Sequence, residues 1–355
     1  MRSNILDKAF SQFDINIFEP FARKNVLITG ATGLVGSLLV KAFSYANDSH
    51  GTSATIYAVV RNKAKAEDVL DGYLSNAINF VEQDLSEAFT AKLPKIDYIV
   101  HAAAITQSKI MVQRPVEVIN TSLVSTQGLL RLAQADFAKM LYISSMEYYG
   151  TLPENTLATE DKLGYIDLSS ARSCYPESKR MCECMCNAYA QQFGVDVCSA
   201  RLAQTFGAGV LEGENRAFMQ FLRSALANEN IALKTTGLSE TNYVNSIDAI
   251  KAILTLLASG VSGEAYNVVN EETHSTIRDV AQLVIDEFSN GTSHLVFDID
   301  ANNTSGYAAD VKLQLCANKM EALGWSPQYG LIDSFKQLQH YLNEQQTDGQ
   351  SNRCC

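Results

Sequence analysis

The sequence predicts an α/β protein: a doubly wound parallel sheet with a smaller C-terminal substrate lobe interleaved into it. Three observations predict it. Short apolar runs alternate with helical stretches through the first half of the chain. The first run ends in a glycine turn, Gly30-Ala31-Thr32-Gly33-Leu34-Val35-Gly36, that opens a helix. And 355 residues exceed the roughly 250–300 at which one hydrophobic core stops growing.

The elements follow in order. Val26-Leu27-Ile28-Thr29 reads as the first strand and residues 34–44 as the helix after it. Residues 55–60, 78–81, 98–100 and 140–143 are further apolar strands, with a helix over 115–135 before the last. Later strands fall at 196–201 and 265–269. Strands separated by helices run parallel through right-handed crossovers, which puts helices on both faces of the sheet. This divides the chain into an N-terminal extension (1–21), a dinucleotide-binding domain (22–206 plus about 240–270), a substrate-binding lobe (about 207–239 plus 271–342) and a polar tail (343–355).

Composition excludes several classes. With 28 basic against 39 acidic side chains the net charge is −11, and nucleic-acid binding needs the opposite sign. The longest apolar stretch, 249–261, contains Lys251 and falls short of the ~20 residues that span a membrane. Asp7 and Lys8 occupy the place where a secretory signal has its apolar run, so a cytoplasmic protein is expected. Of eight cysteines, Cys182, Cys184 and Cys186 alternate along a helix, where steps of two do not share a face. No His or Cys completes a metal spacing, so reduced thiols and no metal are expected.

The glycine turn carries the first functional signal. Gly30 permits the tight turn, Gly33 lets backbone approach a pyrophosphate, and Gly36 lets the helix lie close on the sheet. The helix N-terminus then offers free N–H groups to phosphate. A Rossmann cofactor is expected, NAD or NADP. A carboxylate ending the second strand would bind the adenosine ribose of NAD; Arg61 stands there and leans toward NADP. Asp84, after the third strand, is placed to reach the adenine edge.

The second signal is chemical. Tyr142-Ile143-Ser144-Ser145 brings a strand to its C-terminal end, where open parallel sheets bind ligands. Thirty residues later, Tyr175 and Lys179 lie four apart, on one helical face. Taking hydride from an alcohol carbon also requires removing the hydroxyl proton, and a phenol with pKa near 10 is a poor base at neutral pH. A lysine nearby should lower that pKa, and Ser145 should hold the substrate oxygen.

With these residues the chain resembles the extended short-chain dehydrogenase/reductase family of nucleotide-sugar epimerases, dehydratases and decarboxylases. The likeness runs from Val26 to Tyr341. It rests on Thr29 to Gly36, Asp84-Leu85, His101-Ala102-Ala103-Ala104, Asn120, Gln127-Gly128, Ser144 to Gly150, Tyr175 to Lys179, Gln204-Thr205-Phe206-Gly207 and Leu323 to Pro327. Arg172 to Arg180 is most similar to the UDP-glucuronate decarboxylase branch. The resemblance implies that Ser145, Tyr175 and Lys179 are catalytic, with Glu147 as a further acid/base. It implies a cofactor held by Gly30, Thr32, Gly33, Leu34, Val35, Gly36, Arg61, Asp84, Leu85, Ala102, Ala103, Tyr175 and Lys179. It also implies a homodimer formed through 115–135 and 177–193.

Glu147 shares a side with Ser145 if strand geometry continues past the serine. Oxidising a sugar's C4 hydroxyl acidifies the C5 proton or labilises a C6 carboxylate as CO2, and a carboxylate beside the ring can move the proton. Departures from the family pattern modify the expectation. Met146 replaces the aspartate with which dehydratases protonate the leaving hydroxyl, which counts against dehydration. Gln204 replaces an asparagine, Thr241 an arginine, and no arginine lies between Arg278 and Arg353 to match the decarboxylases' late one. Arg216 is the best phosphate ligand, with Gln204 a substrate neighbour.

The expected function is therefore an NAD(P)-dependent enzyme that oxidises a nucleotide-sugar hydroxyl to a transient ketone, followed by epimerisation or decarboxylation. The alternatives are an NADPH-dependent nucleotide-sugar ketone reductase, a 4,6-dehydratase, and a cofactor-sensing scaffold built on the same fold.

Overall fold

The computed structural model describes residues 2–211, 213–299 and 311–351. The chain opens with α1 (Asn4–Phe10). It then runs β1 (Asn25–Thr29), α2 (Leu34–His50), β2 (Thr55–Val60), α3 (Lys63–Val69), β3 (Ile78–Glu82), β4 (Tyr98–His101), α4 (Ser108–Gln113), α5 (Pro115–Asp136) and β5 (Lys139–Ser145). Next come β6 (Leu157–Ala158), α6 (Cys174–Phe193), β7 (Val197–Leu202), β8 (Gln204–Phe206), α7 (Ala217–Leu226), β9 (Ile231–Leu233) and β10 (Glu240–Asn245). The described chain closes with α8 (Ser246–Ser259), β11 (Ala265–Val268), β12 (Asn270–Thr276), α9 (Ile277–Phe288), β13 (Leu295–Phe297), β14 (Gln314–Leu315), α10 (Asn318–Ala322) and α11 (Leu331–Ser351).

Seven strands form one parallel sheet in the order β11-β7-β5-β4-β1-β2-β3. The chain leaves β1 toward β2 on one side and returns to β4 on the other, so the strand order reverses between β1 and β4 and leaves a crevice at their C-terminal ends. All seven strands coincide with the apolar runs of the sequence, because a strand covered on both faces is predominantly apolar; the edge strand β3 leaves Asn79 and Glu82 exposed, and β7 buries Arg201. Alternation then assigns faces. Val26 and Ile28 of β1 and Leu141 and Ile143 of β5 join the core shared with α2 and α8. Leu27, Met140 and Tyr142 join the core shared with α5 and α6.

Helix α2 is one turn and a half longer than the periodicity suggested, because Ala46 is still buried and the first residue able to stop it is Gly51, at φ +66°. The segment before β1 belongs to the first core: Leu6, Phe10, Phe18 and Phe21 are completely buried there. A separate apolar cluster joins α7, α9 and α11 to the short strands β8, β9 and β10, with Phe206 stacked on Phe218. Helix α11 continues through the polar residues after 342 to Ser351, and 352–355 lie outside the described residues. No described helix is long and apolar enough to cross a membrane.

Candidate active site

The glycine turn sits at the mouth of the crevice. Gly30 has φ +67°, and a Cβ there would come within 2.9 Å of the Ala102 and Ala103 backbone. A Cβ on Gly36 would stand 2.2 Å from the Gly30 carbonyl, so both glycines are required by contact, and Gly30 by its conformation as well. Gly33 is the N-cap of α2 and offers no side-chain acceptor to the helix N-terminus. That leaves backbone donors and the positive end of a 17-residue helix facing the crevice, the arrangement a dinucleotide pyrophosphate requires. Thr29 fixes the opposite wall: its Oγ1 accepts from the Ala103 N–H at 3.1 Å and lies 2.9 Å from His101 Nδ1. His101 is buried, with Thr126 and Ser125 hydroxyls 3.2 Å from Nε2, and burial pushes its pKa down to about 3. It is a structural imidazole.

The remaining expected cofactor positions separate by burial. Arg61 and Asp84 follow β2 and β3 at the same sheet edge. Hydrogen bonds from Ser86 hold the Asp84 carboxyl below its ordinary value, with the Arg61 charge adding to the effect. Leu85 points into the α5 core and leaves only backbone for a ligand. Leu34 and Val35 are partly buried against the cores, and Thr32 is half-buried between the glycines.

Strand β5 ends at Ser145, and the chain then tightens into a 3-10 turn, Met146–Tyr149. The expected continuation of strand geometry does not occur. Instead Ser145 Oγ accepts from the Glu147 N–H at 3.2 Å, as the cap of the turn, and the turn itself carries Glu147 to the site. Helix α6 starts at Cys174, which puts Tyr175 and Pro176 in its first turn, where proline's missing N–H is not needed. Arg180 locks the two pieces together, donating to the carbonyls of Tyr148, Tyr149 and Gly164.

Tyr175 is buried, near enough to Ser145 for the hydroxyl to favour its ionised form. Its pKa is raised, chiefly by burial and then by the Glu147 charge, against the pull of Ser145, Arg172 and Arg216. This corrects the expectation of a phenol already lowered by Lys179. The lysine ammonium lies 5.6 Å from the Tyr175 ring centre but donates to the Ile143 carbonyl at 2.7 Å, and complete burial outweighs its field. Burial also lowers Lys179 to about 8, partly countered by Cys182, Glu183 and Glu147.

Two further groups complete the site, and one of them was not singled out from sequence. Arg172, on the turn before α6, places Nη2 2.9 Å from both carboxylate oxygens of Glu147 and its guanidinium 5.7 Å from the Tyr175 ring centre. Its signal was its place one helical turn before the tyrosine. Arg216 caps α7, pairs with Glu214 at 2.8 Å, and its charge reaches Tyr175. Gln204 opens β8 beside Tyr243, and no hydrogen bond or ion pair joins it to the Tyr175 cluster. Met146, in the place of the dehydratases' acid, accepts a hydrogen bond from Thr241 through its sulfur at 3.2 Å.

Beneath this cluster lies a second one that the sequence did not reveal. Glu183, one turn beyond Lys179, accepts from Ser144 and from Arg201 of β7, and Arg201 lies 3.5 Å over the Tyr148 ring.

The family model described as the NAD dependent epimerase/dehydratase family matches residues 26–269. The chain is 29% identical over 324 residues to UDP-glucuronic acid decarboxylase 1 of Danio rerio, covering 91% of this chain and 73% of that protein. Among solved structures, an epimerase from Methanothermobacter thermautotrophicus superposes with a TM-score of 0.77 at 18% identity, covering 93% of this chain and 95% of that one. A dTDP-glucose 4,6-dehydratase from Streptomyces venezuelae, solved with NAD bound, gives 0.74 at 22% identity, covering 90% and 97%.

Proposed function

The chain belongs to the NAD dependent epimerase/dehydratase family, and from that premise we propose that it oxidises a hydroxyl of a nucleotide sugar to a transient ketone and then epimerises or decarboxylates it. The observation that carries the reading is the convergence at one crevice of Ser145, Tyr175 and Glu147 with the glycine cradle. NAD supplies the hydride acceptor when bound; Gly30, Gly33, Gly36 and the α2 N-terminus hold its pyrophosphate, while Arg61 and Asp84 border its adenosine end.

Tyr175 takes the proton of the reacting hydroxyl. Burial of the phenol opposes its ionisation, while the Ser145 hydroxyl and the charges of Arg172 and Arg216 favour it. Lys179 fixes the β5 end through the Ile143 carbonyl and supplies positive charge nearby. Glu147 handles the proton of the second step, either at the carbon beside the ketone or at the carbon that loses CO2. Dehydration is disfavoured, because a methionine sulfur at residue 146 cannot donate a proton to a leaving hydroxyl.

The cluster around Phe206 and Phe218 supports residues 207–239 and 271–342 as the lobe that receives the nucleotide sugar, with Arg216 at its rim and Gln204 at its base. The mutual packing of α5 and α6, with Val116, Ile119, Met181 and Phe193 exposed, supports a homodimer formed through that helix pair. The buried free thiols support residence in the cytoplasm.

Two measurements test the function. Mass analysis of nucleotide released on denaturation is expected to find NAD. Tyr175→Phe is expected to cut turnover of nucleotide sugars by at least about 10²-fold with retained NAD unchanged; undiminished turnover in that variant ends the proposal.

A further inference from the structure

One polar row crosses the apolar sheet beside the site. Ser144 of β5, Arg201 of β7 and Asn267 of β11 are register partners, so their side chains stand side by side on one face, and all three are buried. Hydrogen bonds join the row from end to end. Ser144 donates to Glu183, and Arg201 grips that carboxylate through Nε and Nη2. Arg201 Nη1 donates to Tyr149 Oη at 3.0 Å, and that hydroxyl donates to Asn267 Oδ1 at 2.6 Å. Asn267 Nδ2 serves the carbonyls of Ala158 and Cys316. Well-packed apolar residues are often as stable as a buried ion pair, so the row's value lies in what it places.

What it places is the stretch between its two grips. The chain leaves the row at Ser144, carries Ser145, Met146 and Glu147, and returns to it at Tyr148 and Tyr149. The Arg201 guanidinium lies 3.5 Å from the Tyr148 ring centre and 5.0 Å from that of Tyr149. Arg180 holds the same turn chiefly by its carbonyls, whereas Arg201 holds its rings and its hydroxyl. Glu147 rides on this turn, directly before the two rings. Tyr175 and Lys179 do not: both belong to α6, and Lys179 is anchored at the Ile143 carbonyl, ahead of Ser144. Loosening the turn therefore displaces Glu147 and leaves the tyrosine, the lysine and the glycine cradle where they are.

We infer that Arg201 is a positioning residue for the second step: by holding the Tyr148 ring and the Tyr149 hydroxyl it sets where Glu147 stands against the substrate, while the first, oxidative step proceeds on Tyr175 without it. This rests on the two-step reading above and divides the labour of the site within it. Hydride leaves the sugar in the first step and returns only after the second. Slowing the second step alone leaves more of the bound cofactor reduced.

The test uses the NAD-loaded full-length protein with three probes, UDP-glucuronate, UDP-glucose and dTDP-glucose, and carries forward the one turned over fastest. Tyr149→Phe removes the hydroxyl that Arg201 holds, and Tyr148→Leu removes the ring. Each is expected to lower kcat at least about tenfold, because small misplacements of a reacting group are costly. In each, the absorbance of reduced nicotinamide during turnover should rise above that of the wild type. Tyr148→Phe keeps the ring and is expected to recover most of the loss seen in Tyr148→Leu, which covers the case in which Tyr149→Phe does not fold. Reduction and turnover falling together, as simple loss of folded enzyme would produce, overturn the assignment; so does unchanged turnover in both variants. The two readings fail separately. A wild type that turns over none of the probes, or turnover that survives Tyr175→Phe, removes the function and this role with it. Tyr175-dependent turnover indifferent to Tyr148 and Tyr149 removes only the role of Arg201.

Discussion

Replacing Glu183 by alanine is the sharpest test of how the active-site helix is held. Glu183 and Arg201 have side chains only 5% and 4% exposed. Arg201 reaches the carboxylate through Nε at 3.1 Å to each oxygen and Nη2 at 2.8 Å, and Ser144 donates a further hydrogen bond. Burial would strip charge from Arg201, yet the hydrogen bonds and charge of Glu183 outweigh it and hold the guanidinium firmly protonated. Glu183→Ala removes four hydrogen bonds and leaves a buried cation with Tyr149 Oη, the Glu160 carbonyl and the rings of Tyr148 and Tyr149, none of them a charge. Such an uncompensated charge costs about 3–5 kcal/mol. Replacing both partners, as in Glu183→Leu with Arg201→Met, removes the stranded charge and is expected to cost clearly less than the single change. Urea denaturation followed by fluorescence measures both. The pair also ties α6, which carries Tyr175 and Lys179, to β7 of the sheet, so the single variant should lose turnover at temperatures where it remains folded. A cost below about 1 kcal/mol for Glu183→Ala, or a double variant no better than the single one, refutes the reasoning.

Gly36→Ala would put a Cβ 2.2 Å from the Gly30 carbonyl, so the purified variant is expected to carry no NAD when its nucleotide content is assayed by mass. Because burial lowers Lys179 to about 8, the pH profile of kcat/KM should fall on an alkaline limb near that value as the ammonium is lost; a profile flat to pH 10 contradicts its charged role. Asp248 is buried, and burial raises it to about 6 despite N–H bonds from Gln328 and Tyr329. Since the folded state holds that proton more tightly than the unfolded chain, the stability it contributes is complete below pH ~4 and is lost as pH rises through about 6. Asp248→Asn should flatten the decline, which is on the order of 2 kcal/mol, and urea midpoints from pH 4 to 7 read it directly.

What was legible in the sequence was local or periodic. The seven parallel strands follow from apolar runs, because a strand covered on both faces is mostly apolar. The cradle follows from glycine, because no other residue tolerates both the φ of Gly30 and the contact at Gly36. The tyrosine–lysine spacing follows from the helical repeat. Other features were decided only by tertiary structure, because they depend on groups far apart in the chain or on burial, which no window of sequence measures. Arg172 meets Glu147 across 25 residues, and Arg201 meets Glu183 across 18 from a different element. Ser145 and Glu147 come together through a tight turn, where strand alternation had suggested the same pairing for a different reason. The tyrosine's pKa reverses its expected direction because the cost of taking a phenolate out of water grows with every neighbour that covers it, and those neighbours come from strands and helices the local pattern cannot bring together.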